Sequence, residues 1–151
     1  MSRVDFYHLQ KQSLDEVLPK LLTKVYNTGK RAVIRIGDEQ RLEQINSYLW
    51  TFQDDSFLPH GCRKDGFASE HPIWLTSQND NPNQAQFLFL VESAECDTEE
   101  LALYERIFYI FDGNSEQALV QARNLWKKYK NCGCEVFYWQ QNNSGKWEQK
   151  A

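Results

Sequence analysis

The sequence predicts an α/β fold, a three-layer sandwich around a mostly parallel central sheet. Three observations predict it. Short β-branched or aromatic runs alternate with segments of helical period through residues 1–50, giving strand, helix, strand, helix. Right-handed crossovers turn that order into a parallel sheet. The chain is 151 residues long, the length of one domain, residues 1–151, able to bury about two-thirds of its unfolded surface.

Each element has its own signal. Residues 4–9 alternate and are rich in strand formers, so they read as a first strand. Ser13 precedes Leu14 with Glu16 three positions on, a capping-box pattern. Leu14, Val17, Leu18, Leu21, Leu22 and Val25 follow at helical spacing, and Gly29 closes the segment. Pro19 falls inside it and implies a kink or a late start. Residues 31–36 form a second strand, and Gly37-Asp38 opens a helix carrying Leu42, Ile45, Leu49 and Trp50.

Periodicity fails over residues 51–83, which hold Pro59, Pro72 and Pro82 and read as loop around a short strand at 73–75. A long connection of this kind in a compact domain is usually functional. Residues 86–92 and 106–111 are further strands, separated by an acidic turn containing Glu92, Glu95, Asp97, Glu99 and Glu100 that reads most simply as solvated surface. Asn114-Ser115 caps a helix reaching about residue 130, which Gly133 ends in the left-handed conformation. Residues 134–139 are a last strand, and 140–151 a polar tail whose lone Trp147 is assigned nothing beyond folding back onto the core.

Composition excludes several classes of function. The net charge is −4, so whole-surface attraction to a phosphate backbone is not expected, although a local basic face is. Aromatics make up 14% of the chain, enough that some rings are expected at interfaces. Cys62, Cys96, Cys132 and Cys134 are too few and too irregular for a disulfide framework, and read as free thiols of no assigned role. Residues 1–22 have no secretory pattern, and no run approaches the ~20 apolar residues of a membrane span. The expected location is cytoplasmic.

Chemistry is missing where the fold class leads one to look for it. A nucleotide-binding domain places glycines after its first strand, so that backbone N–H groups meet phosphate at a helix start. Here that turn reads Gln10-Lys11-Gln12-Ser13. Structural zinc wants two close ligand pairs, whereas Cys132-Gly133-Cys134 is one tight pair and His60, Cys62 and His71 are scattered through a loop. His8, in the first strand, reads as a satisfied, partly buried histidine. No cofactor, no metal and no catalytic residue is expected.

Two features stand out instead. On the last long helix Ala118, Ala122, Leu125 and Tyr129 should face the sheet, while Leu119, Arg123, Trp126, Lys127 and Lys130 share an adjacent side. Arg123, Lys127, Lys128 and Lys130 are opposed within the helix only by Glu116. Cations near a helix C-terminus complement its dipole, so a solvated helix face explains the lysines. It explains Arg123 and the ring between the charges less well. Arg, Trp and Lys on one side also suit an acidic peptide ending in an apolar residue. The second feature is Trp50-Thr51-Phe52 followed by Ser56-Phe57-Leu58-Pro59-His60, either a satellite core cluster or an exposed apolar hot spot.

These same stretches resemble the chi subunit family of bacterial DNA polymerase III. The likeness rests on Val4-Asp5-Phe6-Tyr7-His8-Leu9, Gly29-Lys30-Arg31-Ala32-Val33-Ile34, Leu49-Trp50 with Ser56-Phe57-Leu58-Pro59-His60, and Ala122-Arg123-Asn124-Leu125-Trp126-Lys127-Lys128-Tyr129-Lys130 ahead of Gly133. The resemblance implies a non-catalytic accessory subunit of the holoenzyme. Such a subunit resembles nucleotide-binding folds without a phosphate loop. It pairs with the psi subunit, reaches the clamp-loader complex through psi, and captures the acidic C-terminal tail of single-stranded-DNA-binding protein. Trp50, Phe57, Leu58 and Pro59 fall where the family meets psi; Arg123, Trp126, Lys127 and Lys130 fall where it grips the tail. Leu119 stands where the family commonly carries a further basic residue, Trp126 replaces the usual tyrosine, and residues 61–83 differ in detail. Neither a membrane nor strong direct nucleic-acid binding is implied. The alternative is a small nucleotide-dependent or hydrolytic enzyme on the same doubly wound frame.

Overall fold

Eight strands form one sheet in the order β3-β4-β2-β5-β6-β1-β7-β8 in a computed structural model that describes residues 2–51 and 58–151. The elements run β1 (Arg3–Leu9), α1 (Leu14–Asn27), β2 (Ala32–Ile36), α2 (Glu39–Thr51), β3 (Gly61–Cys62), β4 (Ile73–Thr76), β5 (Phe87–Val91), β6 (Arg106–Asp112), α3 (Glu116–Asn131), β7 (Glu135–Gln141) and β8 (Trp147–Gln149). Every strand pairing is parallel except β7 with β8. The α/β three-layer expectation is met.

Register explains how the sheet is buried on both sides. Val33, Leu88, Ile107, Val4 and Val136 align across neighbouring strands and point toward α3. Ile34, Phe89 and Phe108 align one position on and point toward α1 and α2. Leu14, Val17, Leu18, Leu21, Leu22 and Val25 of α1, with Ile45 and Leu49 of α2, close that second layer. Ala122, Leu125 and Tyr129 of α3 close the first.

The helix starts follow the local chemistry. The Ser13 hydroxyl accepts from the Glu16 amide and the Glu16 carboxylate accepts from the Ser13 amide. Pro19 neither ends α1 nor delays its start: the helix runs continuously from Leu14, and Pro19 is buried. Gly133 has φ +91°, the left-handed value that favours glycine after a helix.

One expectation is extended and one is corrected. The polar tail folds back onto the core, and it does so as a strand. β7 extends to Gln141, and β8 folds back antiparallel so that Trp147 packs edge-on against Tyr7, centroids 5.0 Å apart. The acidic turn is only partly solvated surface. Glu100 pairs with buried Arg35 at 2.8 Å and Glu92 with Arg41 at 3.3 Å, while Glu95, Asp97 and Glu99 face solvent. A buried guanidinium needs such a partner, because its charge has left water.

Candidate functional site

α3 leaves the end of β6, crosses β1 and returns as β7, so its inner stripe lies on the sheet and one flank borders β7. Ser115 caps it by accepting from the Ala118 amide. Ala122, Leu125 and Tyr129 are buried, and the Tyr129 hydroxyl donates to the Cys96 carbonyl at 3.0 Å. This fixes the rotation of the helix and therefore which side chains face outward.

The flanking stripe is divided by chemistry. Leu119 and Trp126 are half-buried against the core, whereas Arg123, Lys127 and Lys130 are exposed. The Trp126 indole stands edge-on to Phe6 at 5.4 Å and to Tyr138 at 6.0 Å. Part of the ring is held by the core and the rest forms an apolar wall between the cations. Tyr138 continues the wall on β7. Burial pushes its phenol pKa up and the nearby Arg123 cation pulls it down, which places the guanidinium on this flank. The Tyr138 hydroxyl is hydrogen-bonded to His8 Nδ1.

Among the described residues no carboxylate lies in ion-pair range of Arg123, Lys127, Lys128 or Lys130. Eight ion pairs occur elsewhere among the described residues. Beside Arg123, Lys127 and Lys130 on this flank stand Leu119, Trp126 and Tyr138, while Lys128 borders Glu95, Gln117 and Asn124 on the other side.

The second predicted cluster is only partly assembled. Trp50 ends α2 and is 45% exposed, and its indole lies 4.0 Å from the His60 ring. Leu58 is 2% exposed and belongs to the core beneath α2, the satellite-cluster outcome rather than an exposed hot spot. Pro59 is half-buried. Phe57 lies outside the described residues.

The cleft where an α/β fold would hold a nucleotide is present. β1 and β6 are neighbours whose following helices pass to opposite faces, and a cavity of about 580 Å³ opens between the caps Ser13 and Ser115. It is lined by Glu16, Glu92 and Asp112 against Lys11 and Arg41, and Arg41 is already engaged by Asp15 and Glu92. Such a lining offers a phosphate no surplus positive charge. The Gln10-Lys11-Gln12-Ser13 turn adds no glycine.

All four cysteines are free; Cys62 and Cys96 are buried and Cys132 is exposed. Among the described residues no group of three or more His, Cys, Asp or Glu is placed to hold a metal ion, and no helix is long and apolar enough to cross a membrane.

Sequence reasoning missed Tyr138 and His60. Tyr138 was legible in principle, since period-two alternation puts it on the same face of β7 as Val136. His60 carried no local signal, because its partners are backbone carbonyls, at Leu58 and at Asn46 of α2, and its ring neighbour is Trp50.

The family model described as "DNA polymerase III chi subunit, HolC" matches residues 1–137. The chain is 25% identical over 158 residues to a Rickettsia prowazekii protein named "Probable DNA polymerase III subunit chi", covering 100% of this chain and 93% of the relative. It is 27% identical over 78 residues to the DNA polymerase III subunit chi of Pseudomonas aeruginosa, covering 50% and 54% respectively.

Proposed function

Because the chain belongs to the DNA polymerase III chi subunit family, whose members are accessory subunits of that polymerase, we propose that it is a non-catalytic, cytoplasmic adaptor with two protein-binding faces. One face, at Trp50 with Phe57 and Pro59, pairs with the psi subunit and so joins the clamp loader. Buried Leu58 supports that face from beneath. The other, at Arg123, Trp126, Lys127 and Lys130, holds the acidic C-terminal tail of single-stranded-DNA-binding protein.

The observation that carries the reading is the set of α3 cations, unpaired among the described residues, that flank a half-exposed indole. A guanidinium grips a carboxylate through two parallel N–H donors, while Trp126 and Tyr138 offer a wall to a terminal apolar side chain. Charge pairing on an exposed rim steers the encounter and is screened by salt, so capture is expected to weaken as ionic strength rises.

The test is a fluorescence-anisotropy titration with a labelled acidic peptide ending in Pro-Phe. Arg123→Ala is expected to weaken binding by ~2 kcal/mol or more, since the peptide carboxylate loses its partner. Unchanged affinity discards this site. The acidic clamp-free cleft near Ser13 serves as the internal control: substitutions there leave the titration unaltered.

A further inference from the structure

We propose that Cys132 and Cys134 form a reactive dithiol that exchanges with small-molecule disulfides and closes into an intrachain disulfide. Their sulfurs are 3.5 Å apart, in contact across a single intervening glycine. Gly133 makes that approach possible, because its φ of +91° folds the chain back at the end of α3. The two thiols differ in access. Cys132 is exposed at the rim of a cleft of about 700 Å³ lined also by Ser2, Leu101, Leu103 and Tyr104, while Cys134 is half-buried. Leu103 is 69% exposed and gives that cleft an apolar lip.

Access assigns the order of events. The Cys132 thiolate attacks one sulfur of the incoming disulfide, forming a mixed disulfide and expelling one thiolate. Burial and the neighbouring thiol hold Cys134 up at about 11, so it acts second. It loses its proton as its sulfur attacks Cys132 Sγ, which forms the intrachain bond and expels the second thiolate. The two protons given up by the cysteines end on the two released thiols. The protein is oxidised by two electrons and the small disulfide is reduced by two.

A metal is a poorer occupant. Thiolate metal sites use three or four ligands, and among the described residues no third His, Cys, Asp or Glu joins this pair. The fold tolerates the exchange. Cys132 Sγ now lies 3.0 Å from the Tyr129 carbonyl, and losing that weak donor leaves the cap bonds from the Gly133 amide to Lys130 and from the Cys134 amide to Tyr129. Buried Cys62 and Cys96 are internal controls, the latter pushed up to about 12 by its surroundings.

The experiment equilibrates the full reduced chain in glutathione buffers of increasing oxidised fraction, quenches with acid, alkylates and maps peptides by mass spectrometry. Two of the four thiols are expected to disappear together, with the mass lowered by two hydrogens and the cross-link inside the peptide carrying residues 132–134. Cys134→Ser is expected to stop at a glutathione adduct on Cys132, and Cys132→Ser to leave the remaining thiols unmodified. Four alkylatable thiols at every buffer ratio, or a wild-type chain that ends as an adduct or an intermolecular dimer, overturns the proposal. The wild-type peptide map reads the outcome even where a serine variant fails to fold.

Discussion

The imidazole of His60 lies against the indole of Trp50, ring centroids 4.0 Å apart, while its two nitrogens face the carbonyls of Leu58 at 2.7 Å and Asn46 at 3.1 Å. One buried side chain thus ties the segment entering β3 to the last turns of α2 and supports the exposed ring there. His60→Ala leaves that backbone without its partner and is expected to cost roughly 1–3 kcal/mol. The reading is a lower urea midpoint at unchanged slope. Trp50→Ala is expected to cost less stability and to abolish co-purification with psi.

Trp126 serves both core and surface, whereas its charged neighbours serve only the surface. Trp126→Ala is expected to lose roughly 1–3 kcal/mol of stability, less than a fully buried tryptophan would, because only part of the ring is packed. Lys127→Ala and Lys130→Ala are expected to stay within about 0.5 kcal/mol of the wild type. All three are expected to weaken tail-peptide binding. Urea denaturation run beside the titration separates the two roles.

Asp5 is fully buried and receives Arg106 at 2.7 Å, Arg3 at 3.0 Å and the Trp139 indole N–H at 2.8 Å. It is the acceptor that joins β6, β1 and β7 at the start of the sheet. Removing one member of a buried charged cluster leaves the rest uncompensated, so Asp5→Ala is expected to cost about 3 kcal/mol. Both arginines reach solvent, which limits the loss. Thermal unfolding of the variant checks the size.

His8 introduces a pH dependence whose sign follows from its surroundings. Burial lowers its pKa below the ordinary 6.5, with Asp112 opposing, so the unfolded chain binds the proton more readily than the folded one. The stabilising neutral form is present above 6.5 and is lost as pH falls through 6.5 toward the folded value. Urea midpoints between pH 7.5 and 5.5 are expected to fall for the wild type. His8→Asn is expected to flatten that slope.

Helix α3 was legible because its signals are local. A cap at Ser115, a glycine at 133 and three- and four-residue spacing name the inner stripe, and the side beside it then holds Arg123, Trp126, Lys127 and Lys130. Leu58 was not legible. An apolar residue in a polar, proline-bounded loop reads the same whether α2 covers it or leaves it bare, and here α2 covers it. The strand β8 that carries Trp147 was opaque for a related reason: three residues of edge strand have no period of their own, and only pairing with β7 makes them a strand.

By itself the sequence determined the fold class, the order along the chain of the helices and of every strand but the short β3 and β8, the absence of a glycine phosphate loop and the helix that carries the cations. Those follow from periodicity and turn chemistry, which act over a few residues. Only the tertiary structure decided that Arg123 and its lysines find no carboxylate among the described residues while Arg35 finds Glu100, that His60 props Trp50, and that Cys132 touches Cys134. Each depends on which groups the crossovers bring together, and a free charge, a buried carbonyl or a neighbouring thiol is defined by what stands beside it in space.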